Sequence, residues 1–273
     1  MKKKQLIVNA DDFGRTSGIN AGIELAYRQG ILSSTSIVAN SPAFEPGLDI
    51  VRRNPGMGTG VHLTINEYGP LHDHPFLHFL RGKNHLQLLM ALARARKEDL
   101  LAVETEFASQ IERVMSHGIV PTHIDGHGHC HVQPALVPLV CRLAQRFQIR
   151  RARLPKEDFF YPGPPARMAQ KWVLNAMCAR GFWPLREGLR CPDRFFGFTD
   201  GGNLRAQALG RILARVPGGV SELMCHVGTE ADDPPFHIGY NWRIELETVT
   251  RYTKDQLMAE FGIEVISYGD LAT

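Results

Sequence analysis

At 273 residues and 30.5 kDa the chain is long enough for one large α/β domain, and α/β barrels reach this size undivided. Hydrophobic residues make up 44% and charged residues 22%, which excludes a disordered chain, and a net charge of +3 is too small to argue for a nucleic-acid partner. The short basic clusters, Lys2 to Lys4 and Arg150, Arg151 and Arg153, are expected to face solvent.

Short β-rich runs alternate with helical patterns along the chain. Gln5–Phe13 (QLIVNADDF) reads as a buried strand, and Ile19–Gly30 as a helix closed by a glycine. Ser34–Asn40 is a second strand, followed by a weaker helical pattern over Phe44–Arg53, and Gly58–Ile65 (GTGVHLTI) is a third strand. A helix from about Lys97 to His117 leads to a fourth strand in PTHIDGH. RRARLP, RFFGF, VSELMCHV and IEVISYG supply four more, with helices between most of them. Repeated βα units without a linker predict one α/β domain over residues 1–273, a single (β/α)-barrel, complete or distorted. A doubly wound sheet is the competing architecture, but DDFG after the first strand is not the glycine fingerprint of a dinucleotide site.

The segment Asn66 to Lys97 breaks this rhythm. It is too long for a simple connection and carries His72, His74, His78 and His85 among the aromatic residues Tyr68, Phe76 and Phe79. A lid or substrate wall and a plain surface insertion are both open readings. Five cysteines, an odd number without a CxxC pair, predict reduced thiols in a cytoplasm. The apolar run after the N-terminal lysines is too short for a signal peptide, and no run approaches the ~18 apolar residues of a membrane span.

Chemistry concentrates at the strand ends. Pro121–Pro134 (PTHIDGHGHCHVQP) places His123, Asp125, His127, His129 and His131 at every second position. In an extended strand these would share one face, but at ~3.3 Å per residue the first and last would lie ~26 Å apart, so they cannot serve one ion together. Gly126 and Gly128 are expected to turn the chain out of the strand, which makes His127 the most useful ligand candidate. The first strand ends in Asp11 and Asp12, paired acids that are costly to bury unless they meet a cation or share a proton. His62 stands in the third strand between apolar residues. In a parallel barrel the C-terminal strand ends converge on one mouth, where Asp12, His62 and His127 could meet around a metal ion. Each also has a plainer reading, Asp12 as a helix cap and His62 as a hydrogen-bonded core residue.

One acid of the pair can bind the ion while the other takes a proton from a water that the ion has acidified. His226, at the end of SELMCH, is the candidate acid for a departing amine. Such an assembly would hydrolyse an amide.

LIVNADDFG, GVHLT, THIDGHGHCHVQP and ELMCHVG, in this order, resemble the YdjC-like carbohydrate deacetylase family, which includes chito-oligosaccharide and hopanoid-associated deacetylases. The resemblance runs from Leu6 to about Gly269, and HxDxHxHxH is its most specific part. It implies a distorted (β/α)-barrel that removes acetyl groups from N-acetylated sugars or oligosaccharides with one divalent metal ion. It further implies Asp12, His62 and His127 as ligands, Asp11 as general base and His226 as general acid. Asp125, His123, His129 and His131 would stand behind the ligands or touch substrate, Asp125 foremost by orienting a histidine. Two imidazoles and a carboxylate favour zinc, whereas the family's descriptions include magnesium. Cys130 and Cys225 are expected to be structural, pointing away from their histidine neighbours. A homodimer is left open. The rivals are an amidohydrolase-type metal enzyme acting on another small amide and a metal-free carbohydrate-binding protein.

Overall fold

The computed structural model describes residues 2–229 and 239–272 and, within the helix Pro165–Gly188, the backbone alone over 180–188. Seven parallel strands form one sheet: β1 (Lys4–Phe13), β2 (Ser34–Ile37), β3 (Gly58–Leu63), β4 (Ile124–Gly126), β5 (Arg194–Phe196), β6 (Gly219–Cys225) and β7 (Ile263–Val265). Their order is β4-β3-β2-β1-β6-β5. The predicted strand at RRARLP is reduced to single parallel bridges, Ile124 to Ala152 and Arg151 to Arg190, and a further bridge joins Glu157 to Phe195. These bridges run between β4 and β5, so the curled sheet closes toward a ring along an irregular seam. The distorted (β/α)-barrel is therefore the fold, and it departs from eightfold order a second time at its last strand. β6 pairs directly with β1, and β7 takes the opposite edge of β1 at Lys4–Leu6, below the stretch that pairs with β2.

The strands are buried on both faces, and their period of two separates two kinds of interior. Leu6, Val8 and Ala10 of β1, Val61 and Leu63 of β3, and Leu223 and Cys225 of β6 join the apolar layer under the helices. The alternate positions, Asn9 and Asp11, Ser36, His62, Asp125 and Glu222, turn inward and bond to one another or to Arg153. The barrel thus holds a polar network where branched aliphatic residues usually pack.

Arg153 corrects an expectation. It is wholly buried at the centre of this network, whereas the basic cluster containing it was expected to face solvent. Asn66–Lys97 is also not a bare loop: it folds into the helices Pro75–Leu80 and His85–Ala93 before the long helix Lys97–Ser116. Among the described residues no helix is long and apolar enough to cross a membrane.

Candidate metal centre

Adjacent residues in a strand point to opposite faces, so Asp11 and Asp12 should not be able to share a site. A bulge resolves this. Between Ala10 and Phe13 the register against β2 slips, three residues of β1 advancing while β2 advances two. Asp12 sits in the left-handed region at φ 69°, a strained conformation for a non-glycine residue and one that clusters at functional sites. Both carboxylates therefore reach His62 of β3: one ligand atom each from Asp12, His62 and His127 lie within 4.8 Å of one another, and so do those of Asp11, His62 and Asp125. Thr16, not Asp12, caps the following helix by accepting from the Ile19 N–H.

Both histidines are aimed by a carboxylate behind them. His62 Nδ1 lies 2.8 Å from Asp125 Oδ1, and its Nε2 faces Asp12 Oδ1 at 3.6 Å. His127 Nε2 lies 3.0 Å from Glu67 Oε1, and its Nδ1 faces Asp12 Oδ1 at 3.2 Å. A carboxylate can only accept, so each outer nitrogen carries a hydrogen, and without an ion His127 Nδ1 also donates to Asp12. Arg15, buried, bridges Asp12 and Glu67 at 3.2 Å to each.

The electrostatics follow from these contacts. Burial would raise the Asp12 carboxyl, but Arg15, His127 and His62 hold it well below the usual carboxylate range. Burial would lower His127, but Glu67 and Asp12 push it up to about 10, so without an ion this ring is an imidazolium. Asp125 is likewise held down, against its own burial, by Arg153 and His62. Two imidazoles and a carboxylate around one point, each imidazole backed by an acid, suit a divalent cation that would replace the excess protons.

The HxDxHxHxH run divides as its glycines suggest. β4 ends at Gly126, and His127–Val132 forms a 3₁₀ turn in which Gly128 (φ 54°) and His129 (φ 59°) are left-handed. His127 alone of the run reaches Asp12, and Asp125 stands behind His62. His123 points into the barrel, where only a glycine at position 60 leaves room for its ring, and lies 3.1 Å from Ser36 Oγ. Burial pushes His123 down to about 3 and His131 to about 4. His131 is tied to the Arg153 carbonyl at 3.1 Å. Neither lines the cavity above the site, whereas His129 does, with its Nδ1 unpartnered. Cys130 and Cys225 turn away, toward the Leu63 and Asn9 carbonyls.

That cavity, of about 120 Å³, is lined by Asp11, His62, His127 and His226 together. Asp11 accepts from Arg153 Nη1 and Nη2 at 2.7 and 2.6 Å, a paired and planar clamp. His226 follows β6, its backbone N–H donating to Glu245 at 2.6 Å, and burial pushes its ring down to about 4. The excursion contributes His85 to the wall. Phe76 and Phe79 of the same segment lean on each other and do not line the cavity, with Lys83 over the Phe79 ring. The rings that do line it are Phe198 and Tyr240. Arg15, Glu67, Arg153 and Glu222 were not singled out from sequence. Arg153, between Ala152 and Leu154, and Glu222, followed by Leu223 and Met224, carried a usable signal, a charged residue at an inward strand position.

A carbohydrate deacetylase from Geobacillus stearothermophilus is 33% identical over 274 residues, covering 96% of this chain and 96% of its own length. One from Clostridium beijerinckii is 34% identical over 270 residues, covering 98% and 100%. The fold is shared with a provisionally named cellobiose-phosphate cleavage protein from Enterococcus faecalis V583, at TM-score 0.73 and 24% identity over 99% of this chain and 100% of the other. Residues 5–260 match the model of the YdjC-like protein family, and with relatives this similar over this length the chain belongs to that family.

Proposed function

We propose that the protein is a metal-dependent carbohydrate deacetylase that hydrolyses the amide of an N-acetylated sugar or oligosaccharide. One observation carries this reading: ligand atoms of Asp12, His62 and His127 lie within 4.8 Å of one another beneath a cavity whose wall also holds Asp11 and His226. The names of the relatives support the substrate class.

Asp12, His62 and His127 would hold one divalent ion, and two nitrogen donors favour zinc over magnesium. Bound there, such an ion brings the pKa of a water molecule toward neutrality and polarises an acyl oxygen. Asp11 is the general base. Its carboxylate, fixed by Arg153, takes a proton from the attacking water. His226 is the general acid. A ring held near 4 is neutral at rest, so His226 relays to the amine nitrogen, as the C–N bond breaks, the proton that Asp11 takes from water. Water supplies the hydroxyl of acetate and the proton of the amine, so the reaction balances without another reagent.

Phe198 and Tyr240 offer apolar faces to the sugar ring, and His85 makes the excursion one wall of the cavity rather than a detached insertion. Residues 1–273 then act as one catalytic unit, and the cysteine pattern supports a cytoplasmic setting. Acetate release from a panel of N-acetylated mono- and oligosaccharides tests the proposal. Release from at least one member is expected, and binding of the sugars without release would make the protein a carbohydrate binder.

A further inference from the structure

Arg153 does more than clamp Asp11. Its Nη1 also lies 2.8 Å from Asp125 Oδ2, and its Nε donates to Glu222 Oε1 at 2.8 Å. A guanidinium is planar with a fixed direction for every donor, so whatever holds Nε also sets the plane in which Asp11 is gripped. Glu222 comes from the middle of β6, and its second oxygen accepts the Tyr268 hydroxyl at 2.6 Å. Tyr268 belongs to the far end of the chain, in the short turn Tyr268–Asp270 beyond β7. Its backbone N–H donates to Ser34 Oγ at 2.9 Å, at the start of β2 and so at the end of the barrel opposite the cavity. Its ring stacks on His123 with centroids 3.8 Å apart and planes 12° from parallel.

Glu222 and Tyr268 are both wholly buried, and neither lines the cavity. A buried acid between an arginine and a phenol is not needed to fill space, and well-packed apolar residues often serve stability as well as a buried ion pair. The connected path Tyr268–Glu222–Arg153–Asp11 instead joins the C-terminal turn to a carboxylate in the cavity wall through three contacts of 2.8 Å or less.

We propose that Glu222 and Tyr268 are positioning residues for Asp11, acting through Arg153, so that the C-terminal turn sets the angle of the base from the opposite end of the barrel. This rests on the reading of Asp11 as the base. Both Asp11 oxygens accept from the same fork, so a small rotation of the guanidinium swings the whole carboxylate relative to the water it must reach. Misplacement by about 1 Å can lower a rate by about 10²-fold.

Tyr268→Phe keeps the ring and its stack on His123 and removes only the hydroxyl. Glu222→Gln is the second variant, which keeps the test valid if the first folds poorly. Steady-state kinetics on an N-acetylated sugar, metal content and thermal midpoint are measured for each with the ion loaded. We expect kcat to fall about 10-fold with KM and metal content near the wild-type values, a split that marks a loss made in the transition state only. In an Asp11→Asn background the same changes should leave the residual kcat unaltered, because residues acting through one group do not add. A lowered thermal midpoint with unchanged kcat, or an equal fold-loss in both backgrounds, overturns the inference and leaves these residues as stabilising contacts. Wild-type protein that releases no acetate overturns the proposed function and this inference with it. Wild-type activity with both variants unimpaired overturns the inference alone.

Discussion

His62 gives its Nδ1–H to Asp125 Oδ1 at 2.8 Å and so turns its Nε2 toward Asp12. Within the histidine run His127 is the proposed ligand, and Asp125 bears on the ion at one remove, through His62. Asp125→Ala should weaken metal binding by roughly 10–100-fold, the usual penalty for losing a carboxylate behind a ligating histidine. Metal titration of the purified variant measures this. Unchanged affinity would mean that His62 is oriented by its packing alone.

Asp11 and Asp12 should separate in their effects, despite being neighbours in sequence. Asp12→Ala should lose the ion. Asp11→Asn should keep it, with kcat lower by roughly 10²–10⁴-fold and little change in KM. Metal content and kinetics on the same preparations decide the matter, and equal loss of metal in both variants would remove the division of labour.

His127 makes metal binding depend on pH. Its folded-state pKa is raised from 6.5 to about 10 by Glu67 and Asp12, against the effect of burial, so the ion must displace a proton from it at neutral pH. In the metal-free protein the raised value contributes stability that is fully present below 6.5 and is lost as pH rises through about 10. Metal affinity should run the other way, strengthening by up to about 10-fold per unit between these limits. Calorimetry in buffers of different ionisation enthalpy should detect the proton released. Affinity flat across this range would show that His127 is not a ligand.

The legible part of the site was the part that lies at strand ends. Asp12 and His62 close or interrupt apolar runs, His127 follows the glycine that ends the fourth strand, and a barrel brings those ends together. Arg153 was not legible, because RRARLP reads as a basic cluster unless its period of two is followed. Arg151 and Arg153 alternate with Ala152, yet Arg151 bonds to the Gly269 and Leu271 carbonyls while Arg153 enters the core. Glu67 was hidden for another reason: it lies in the excursion, where no periodicity assigns a side chain to a face. Plain strand alternation would put Asp11 and Asp12 on opposite faces, and the bulge with its left-handed Asp12 is what brings both to His62.

His226 should matter most when the leaving group is poor. An amide needs a proton on its departing nitrogen, whereas an activated ester needs little help. His226→Ala should lower turnover of an N-acetyl sugar by roughly 10²–10⁴-fold with metal content unchanged, and the loss should shrink on an activated acetate ester. Equal losses on both substrates would assign His226 to binding or to stabilising the developing oxyanion.

The pairing of metal content with acetate release tests the whole scheme most directly. The protein is stripped with a chelator, reloaded with zinc or magnesium in graded amounts, and assayed on an N-acetylated oligosaccharide, with His62→Ala and His127→Ala carried in parallel. Acetate release should vanish on stripping and return in proportion to a single bound ion in the wild-type protein. Neither variant should retain the ion or recover activity. Acetate release that survives complete removal of metal, or full activity in a variant lacking either histidine, would contradict the metal centre at Asp12, His62 and His127.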